Sequence, residues 1–252
     1  MPFREFSLAH RDELAGIIAQ RSVNTNEVRR CGCLLPALAF AALHANATQV
    51  HLIDIGCSAG LNLFADKYKI DFGPYGGSGP NNSSVQFRTD IRQGRLSLAP
   101  IPHIQMRTGI DPDPIDLNDP QDVTWFKSLV WPDHLERFER LEAAVGIAQE
   151  QSSDITKGYA NDVLPDLIRS SPDDLLIVIQ HSFVLNQFTP EDREILESLL
   201  IQSSKHRPIA RIGMEWDQTH AVLSQTHYEN GQSEQTHLGI ADAHGAWMTW
   251  HK

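Results

Sequence analysis

The sequence predicts an α/β fold: a three-layer α/β/α sandwich around a mostly parallel sheet, finished by an antiparallel C-terminal strand pair. Three observations carry this prediction. Short apolar runs of strand length alternate with segments of helical spacing along the chain. The first run, residues 50–55, is apolar enough for burial on both faces and breaks at Gly56 into a turn of small residues. Near the C-terminus, Asn230-Gly231 separates two β-rich arms, the strongest short-range hairpin signal. Alternating strands and helices imply right-handed crossovers with helices on both sheet faces.

Residues 9–21 and 26–45 read as helices. Asn24 and Glu27 have capping-box spacing, and Val28, Leu34, Leu35, Leu38 and Leu43 follow a helical stripe. Residues 1–48 are therefore expected to form a helical segment packed on a core domain, 49–252. After the strand at 50–55 and its helix comes a break rich in Gly, Pro, Asn and Ser at 73–84. Residues 69–72 and 85–89 flank it as expected hairpin arms, giving a hairpin insertion near 66–102. The second core strand is 103–108, running into Gly109-Ile110-Asp111. A helix with Leu135, Phe138, Leu141 and Val145 on one face follows, then a strand at 155–159 and a helix near 164–168. The strongest strand is Leu-Leu-Ile-Val-Ile at 175–179, followed by a helix at 191–202 and a fifth strand at 210–216. Residues 222–228 and 236–240 form the hairpin arms, and 246–250 is a last strand.

With 252 residues, 41% of them hydrophobic, the chain can bury one large core. A net charge of −11 argues against nucleic acid as a partner, because phosphate binding needs cations to replace counterions. Cys31, Cys33 and Cys57 are an odd set, so no disulfide framework is expected and a reducing cytoplasm is the default. No apolar run reaches membrane-spanning length, so no membrane partner is expected. His220, His227, His237, His244 and His251 crowd the tail, but no spacing matches a metal motif, and none is expected to bind metal.

Asp54-Ile55-Gly56-Cys57-Ser58-Ala59-Gly60 is the most informative segment. Glycines at a strand-to-helix turn permit tight angles and close ligand approach, and a following helix would aim free amides at an anion. Gly56 to Gly60 also spells G-x-S-x-G, the nucleophile elbow of α/β-hydrolases with Ser58 as nucleophile, but too little chain precedes it for the earlier strands. A phosphate loop would need G-K-[ST], and a dinucleotide turn would need glycines where Ser58 and Leu61 stand. An acid, one residue, then a small-residue turn resembles the first motif of class I S-adenosylmethionine (SAM) methyltransferases, with Ser58 replacing the middle glycine. That resemblance implies a Rossmann-like sheet with SAM held by Asp54, Gly56, Cys57, Ser58, Ala59, Gly60 and Asn62. Asp111, after the second strand, suits ribose hydroxyls, and Asp162, after the third, suits an adenine amino group.

Several segments carry a more specific likeness. They are Thr25-Asn26-Glu27-Val28 with Arg30 and Leu34-Leu35-Pro36-Ala37-Leu38; Ser58-Ala59-Gly60-Leu61-Asn62-Leu63; and Arg107-x-Gly109-x-Asp111 with Pro114 and Asp116. Val130-Trp131-Pro132-Asp133 with Arg137 and Arg140, and Ala243-His244-Gly245 with Trp250, complete the set. Together they resemble a bacterial family, domain of unknown function 2332. The family resembles class I methyltransferases. Compared with it, an N-terminal helical segment is missing here and Cys57 stands where a small residue such as alanine is usual, so a reduced substrate lid is expected.

For chemistry, Glu27 and His181 are the candidate catalytic groups, Glu27 being equally suited to a capping role. Asn26, Glu27, Arg30, His181, Glu215 and His244 are the candidate substrate-binding residues. The expectation is a cytoplasmic SAM-dependent methyltransferase acting on a small molecule. The alternatives are a non-catalytic SAM- or nucleotide-binding module and a hydrolase using Ser58.

Overall fold

A computed structural model describes residues 2–23 and 26–252. Asn24, the expected capping partner of Glu27, and Thr25 lie outside the described residues. The chain opens with α1 (Phe3–Ala9) and α2 (Arg11–Gln20), neither of which buries a residue. A 3-10 turn, Val28–Arg30, leads into α3 (Cys31–His44), whose first nine residues are all buried. Then come β1 (Gln49–Ile55), β2 (Lys69–Asp71), β3 (Gly77–Ser78), β4 (Gln86–Arg88), β5 (Asp90–Gly94) and β6 (His103–Asp111). Helices α4 (Pro120–Ser128) and α5 (Leu135–Glu150) precede β7 (Asp154–Lys157), α6 (Ala160–Ser170) and β8 (Leu176–Ser182). The chain ends with α7 (Pro190–Ser203), β9 (Ile209–Trp216), β10 (Ala221–Glu229), β11 (Gln232–Ala241) and β12 (Trp247–Trp250).

Among the described residues one nine-stranded sheet has the order β5-β12-β11-β10-β9-β8-β1-β6-β7. Strands β7, β6, β1, β8 and β9 run parallel, and β10 and β11 form an antiparallel hairpin beside β9. The α/β class and the C-terminal hairpin thus agree with the sequence. Side chains alternate across β1, so Val50 and Leu52 pack with Leu35 and Leu38 of α3 and Leu141 of α5. Ile53 and Ile55 face the other way, against Leu164 of α6 and Leu196 of α7. The central strand is buried on both faces, as its apolar run requires.

Three local expectations are corrected. First, the arms at 69–72 and 85–89 do not form a hairpin with each other. β2 pairs antiparallel with β3 and parallel with β4, in a separate three-stranded sheet. β5 then leaves that sheet and extends the edge of the main one alongside β12. Second, no α-helix follows Gly60; Leu61–Lys67 is an irregular 3-10 segment, broken at Phe64. Its carbonyls are taken by side chains: Leu61 by the Tyr68 hydroxyl at 2.6 Å, Asn62 by Gln180 Nε2 at 3.3 Å, and Leu63 by Arg107. Third, Leu135 does not join the buried stripe of α5; it is exposed at that helix's first position, while Leu141, Ala144 and Val145 carry the packing. No helix among the described residues is long and apolar enough to cross a membrane.

Candidate functional site at the strand ends

From β1 the chain moves outward through β6 to β7, then returns to the other side of β1 as β8. The order of the sheet therefore reverses between β1 and β8, where open α/β sheets place a crevice at the carboxyl ends of the strands. A cleft of about 800 Å³ lies there, large enough for a drug-sized ligand. Its walls include Gly56 after β1, Asp111 at the end of β6, Asn161 and Asp162 after β7, Ser182 at the end of β8, and Arg30.

The turn after β1 is held in left-handed backbone: φ is 68° at Gly56, 53° at Ser58 and 73° at Gly60. The strain is held by hydrogen bonds within the protein. Gly56 N and Cys57 N both donate to Ile110 O, at 2.8 and 3.3 Å, and Gly60 N donates to Cys57 O at 2.7 Å. Ser58 N donates to Asp111 Oδ2 at 2.8 Å. This corrects the expectation of a row of free amides at a helix start: these four are engaged by the chain itself. Asp111 Oδ1 also accepts from Asp113 N, at 2.9 Å, so this carboxylate fastens the turn to the end of β6 while lining the cleft.

The candidate cofactor residues separate into two sets. Gly56, Asp111 and Asp162 line the cleft. Asp54, Cys57, Ser58, Gly60 and Asn62 do not; Asp54, Cys57, Ser58 and Asn62 are buried within the protein. Asp54 sits on the α3 side of β1, where burial, with the charge of Asp111 adding and a Gln180 hydrogen bond opposing, pushes its carboxyl up to about 7. Asn62 Oδ1 accepts from Cys31 Sγ at 3.3 Å. Ala59 faces a separate cavity of about 330 Å³ beside Pro114 and Ile155. Ser58 is fully buried and its hydroxyl has no partner among the described residues, so the left-handed angle it shares with a nucleophile elbow is not matched by an exposed Oγ beside a histidine.

Of the candidate substrate residues, Arg30 reaches the cleft, with Nε on Ala243 O at 2.9 Å and Nη1 on Ser182 Oγ at 3.3 Å. Its guanidinium lies over the Phe183 ring, 4.3 Å from the centroid. His181 and Glu215 are brought together: Nδ1 lies 2.7 Å from Oε1. Burial raises the Glu215 carboxyl, but His181 and the amides of Val184 and Leu185 outweigh it and leave the group below its ordinary value. Asn26 Nδ2 donates to Cys57 O at 2.9 Å and so braces the turn. Glu27 does not reach the cleft. It caps the 3-10 turn by accepting from Arg29 N at 3.1 Å and pairs with Arg137 at 2.7 Å. His244 is exposed in the turn before β12 and is not part of the cleft wall; its neighbour Ala243 provides the carbonyl that holds Arg30.

Several cleft residues escaped sequence reasoning, among them Ser182, Phe183, Asn161 and Tyr159. Asn161 Nδ2 donates to Asp192 O at 3.0 Å, while its Oδ1 is buried without a partner among the described residues. Tyr159, 70% exposed, stands at the mouth. Tyr159 and Asn161 flank Asp162 after β7, so the strand-end argument that singled out Asp162 could have reached them. No group of His, Cys, Asp and Glu among the described residues is arranged to hold a metal ion.

The class these features define is an α/β protein with a ligand-sized cleft at the reversal point of a mostly parallel sheet. Residues 1–250 match the bacterial family described as "Uncharacterized protein conserved in bacteria (DUF2332)", and the chain belongs to that family. No curated protein and no solved structure matches it.

Proposed function

We propose that the protein is a SAM-dependent methyltransferase acting on a small molecule, with SAM in the strand-end cleft. The observation that carries this reading is the cleft itself: about 800 Å³, bounded by the ends of β1, β6, β7 and β8, with Asp111 and Asp162 in its walls. The residues present suit an adenosyl group. Asp162 is an exposed acceptor, and the unpartnered Asn161 Oδ1 is a second acceptor that an amino group would satisfy. Asp111 would take the ribose and Tyr159 would cover the base at the mouth. SAM supplies a methyl group already activated as a sulfonium.

The protein's own contribution is then orientation, which in favourable cases is worth about 7–11 kcal/mol. Arg30, Ser182 and Phe183 form the wall where an acceptor would lie. His181, fixed through Nδ1 by Glu215, does not line the cleft; it packs against Gly213 and supports the wall formed by its neighbours Ser182 and Phe183 from behind. The burial of His181, whose side chain is 4% exposed, favours one second reading: a protein that binds SAM or a nucleotide and transfers nothing. Ultraviolet crosslinking of methyl-labelled SAM, followed by peptide mapping, tests the cofactor site. Label on the segment containing Tyr159 is expected; label elsewhere, or none, would remove the assignment. Methylated product from a panel of small acceptors then divides enzyme from binder.

A further inference from the structure

Beside the acceptor end of the cleft lies a concentration of arginines that a net charge of −11 does not foreshadow. Glu27, its side chain only 4% exposed, has Oε2 2.7 Å from Arg137 Nε and Oε1 3.9 Å from Arg140 Nη2. Arg30, three residues on, interacts with the same Glu27 and with Arg137, and Arg29 bears on Arg140. Glu27 thus contacts Arg137 and Arg140, and Arg30 lies near enough to feel the charges of Glu27 and Glu215. The nearby acids do not balance them. Glu215 acts on Arg30, but its hydrogen bonds go to His181 and two backbone amides rather than to a guanidinium, and Glu136 acts on Arg140 only more weakly than Glu27 does.

The guanidiniums keep unused donors. Arg140 makes no hydrogen bond among the described residues, and its Nε is buried without a partner. Its Cζ lies 6.0 Å from the centroid of the Phe87 ring. Arg30 engages Nε and Nη1, and its Nη2 makes no hydrogen bond among the described residues. The side chains of Arg137 and Arg140 are 20% and 13% exposed, so solvent and solutes reach both. Burial depresses Arg30 and Arg140, with Arg137 adding to it in both. Clustered, half-desolvated cations are costly unless an anion answers them, and the planar fork of arginine suits an oxyanion.

We infer that Arg30, Arg137 and Arg140 form a binding site for the oxyanion group, carboxylate or phosphate, of a small molecule. Its assignment to the methyl acceptor rests on the methyltransferase reading; the anion site itself does not. Calorimetric titration of the full chain with succinate, inorganic phosphate and the neutral succinamide, each with and without S-adenosylhomocysteine, tests it. At least one anion is expected to bind saturably, succinamide is not, and Arg140→Gln should weaken the anion at least about tenfold. Binding of succinate alone or of phosphate alone each supports the site and names its chemistry. If Arg140→Gln fails to fold, Arg140→Lys, which keeps the charge but not the fork, should bind the anion more weakly than the wild type, and unchanged affinity would overturn the inference.

The inference is overturned if the wild-type protein treats succinate, phosphate and succinamide alike, or if folded Arg140→Gln binds as the wild type does. Anion binding without any binding of S-adenosylhomocysteine would remove the methyltransferase reading and leave this site standing. The reverse result would remove this site alone.

Discussion

A single oxygen, Glu215 Oε1, accepts from His181 Nδ1 at 2.7 Å and also from the amides of Val184 and Leu185, at 3.0 and 3.2 Å. His181 lies in β8 and Glu215 in β9, and the amides belong to the segment that leaves β8 through Phe183, at φ 58°. The carboxylate therefore orients the histidine and shapes one wall of the cleft together. Glu215→Ala would strand buried donors, each costing about 1–3 kcal/mol, and a total loss of roughly 3 kcal/mol is expected. Glu215→Gln keeps an oxygen acceptor and should lose about half as much. Urea denaturation checks this; equal stability of Glu215→Ala and wild type would refute it.

Asp54 makes a pH prediction whose sign follows from its environment. Its carboxyl is raised from 3.8 to about 7, with burial as the main cause. Between those values the folded protein keeps a proton that the unfolded chain has released, so this group makes stability fall as pH rises, by up to roughly 4 kcal/mol. Asp54→Asn mimics the protonated form and should flatten that descent. His51 acts in the opposite sense. Burial, then the charge of Arg207, lowers it to about 4, so it adds stability as pH rises toward 6.5. Because the wild type and Asp54→Asn share His51, its effect cancels in their difference. Urea midpoints from pH 4 to 8 that stay parallel in the two proteins would contradict the prediction.

Gly56 combines two constraints that a double variant separates. Its φ of 68° costs an L residue about 1–2 kcal/mol, and an added Cβ would stand 2.4 Å from Val184 Cγ2. Gly56→Ala should therefore destabilise by more than the backbone penalty alone. In a Val184→Ala background the closest contacts, at 2.4 and 3.1 Å, are gone and only Val184 Cβ at 3.3 Å is left, so mainly the backbone part should remain. Thermal unfolding of the four proteins gives the coupling; strict additivity would mean that Val184 is not the obstacle.

Much of the fold was legible because its signals are local. The apolar runs became β1 and β8, and Asn230 and Gly231, at φ 55° and 75°, supply the two left-handed residues that the β10–β11 hairpin needs. The reading failed where distant groups decide. Nothing local to 61–67 says that Tyr68, Gln180 and Arg107 will take the carbonyls a helix needs. The parallel pairing of β2 with β4, with β3 on the other edge of β2, joins segments that are not neighbours in the chain. For the site, strand-end position identified Asp111 and Asp162, which do line the cleft. It did not reveal that Asp111 is already tied to Ser58, because that contact spans two strands. Arg137 and Arg140 belonged to a recognisable segment, yet only the fold brings them to Glu27.

The central claim is an adenosyl ligand at the strand ends, and the most direct test is calorimetry with S-adenosylhomocysteine on the wild type and Asp162→Ala. Asp162 is exposed in the cleft, so its loss should leave folding intact. Saturable binding to the wild type, weakened about tenfold in Asp162→Ala, is the predicted result. No heat of binding at millimolar ligand, or identical affinities in the two proteins, would contradict the account.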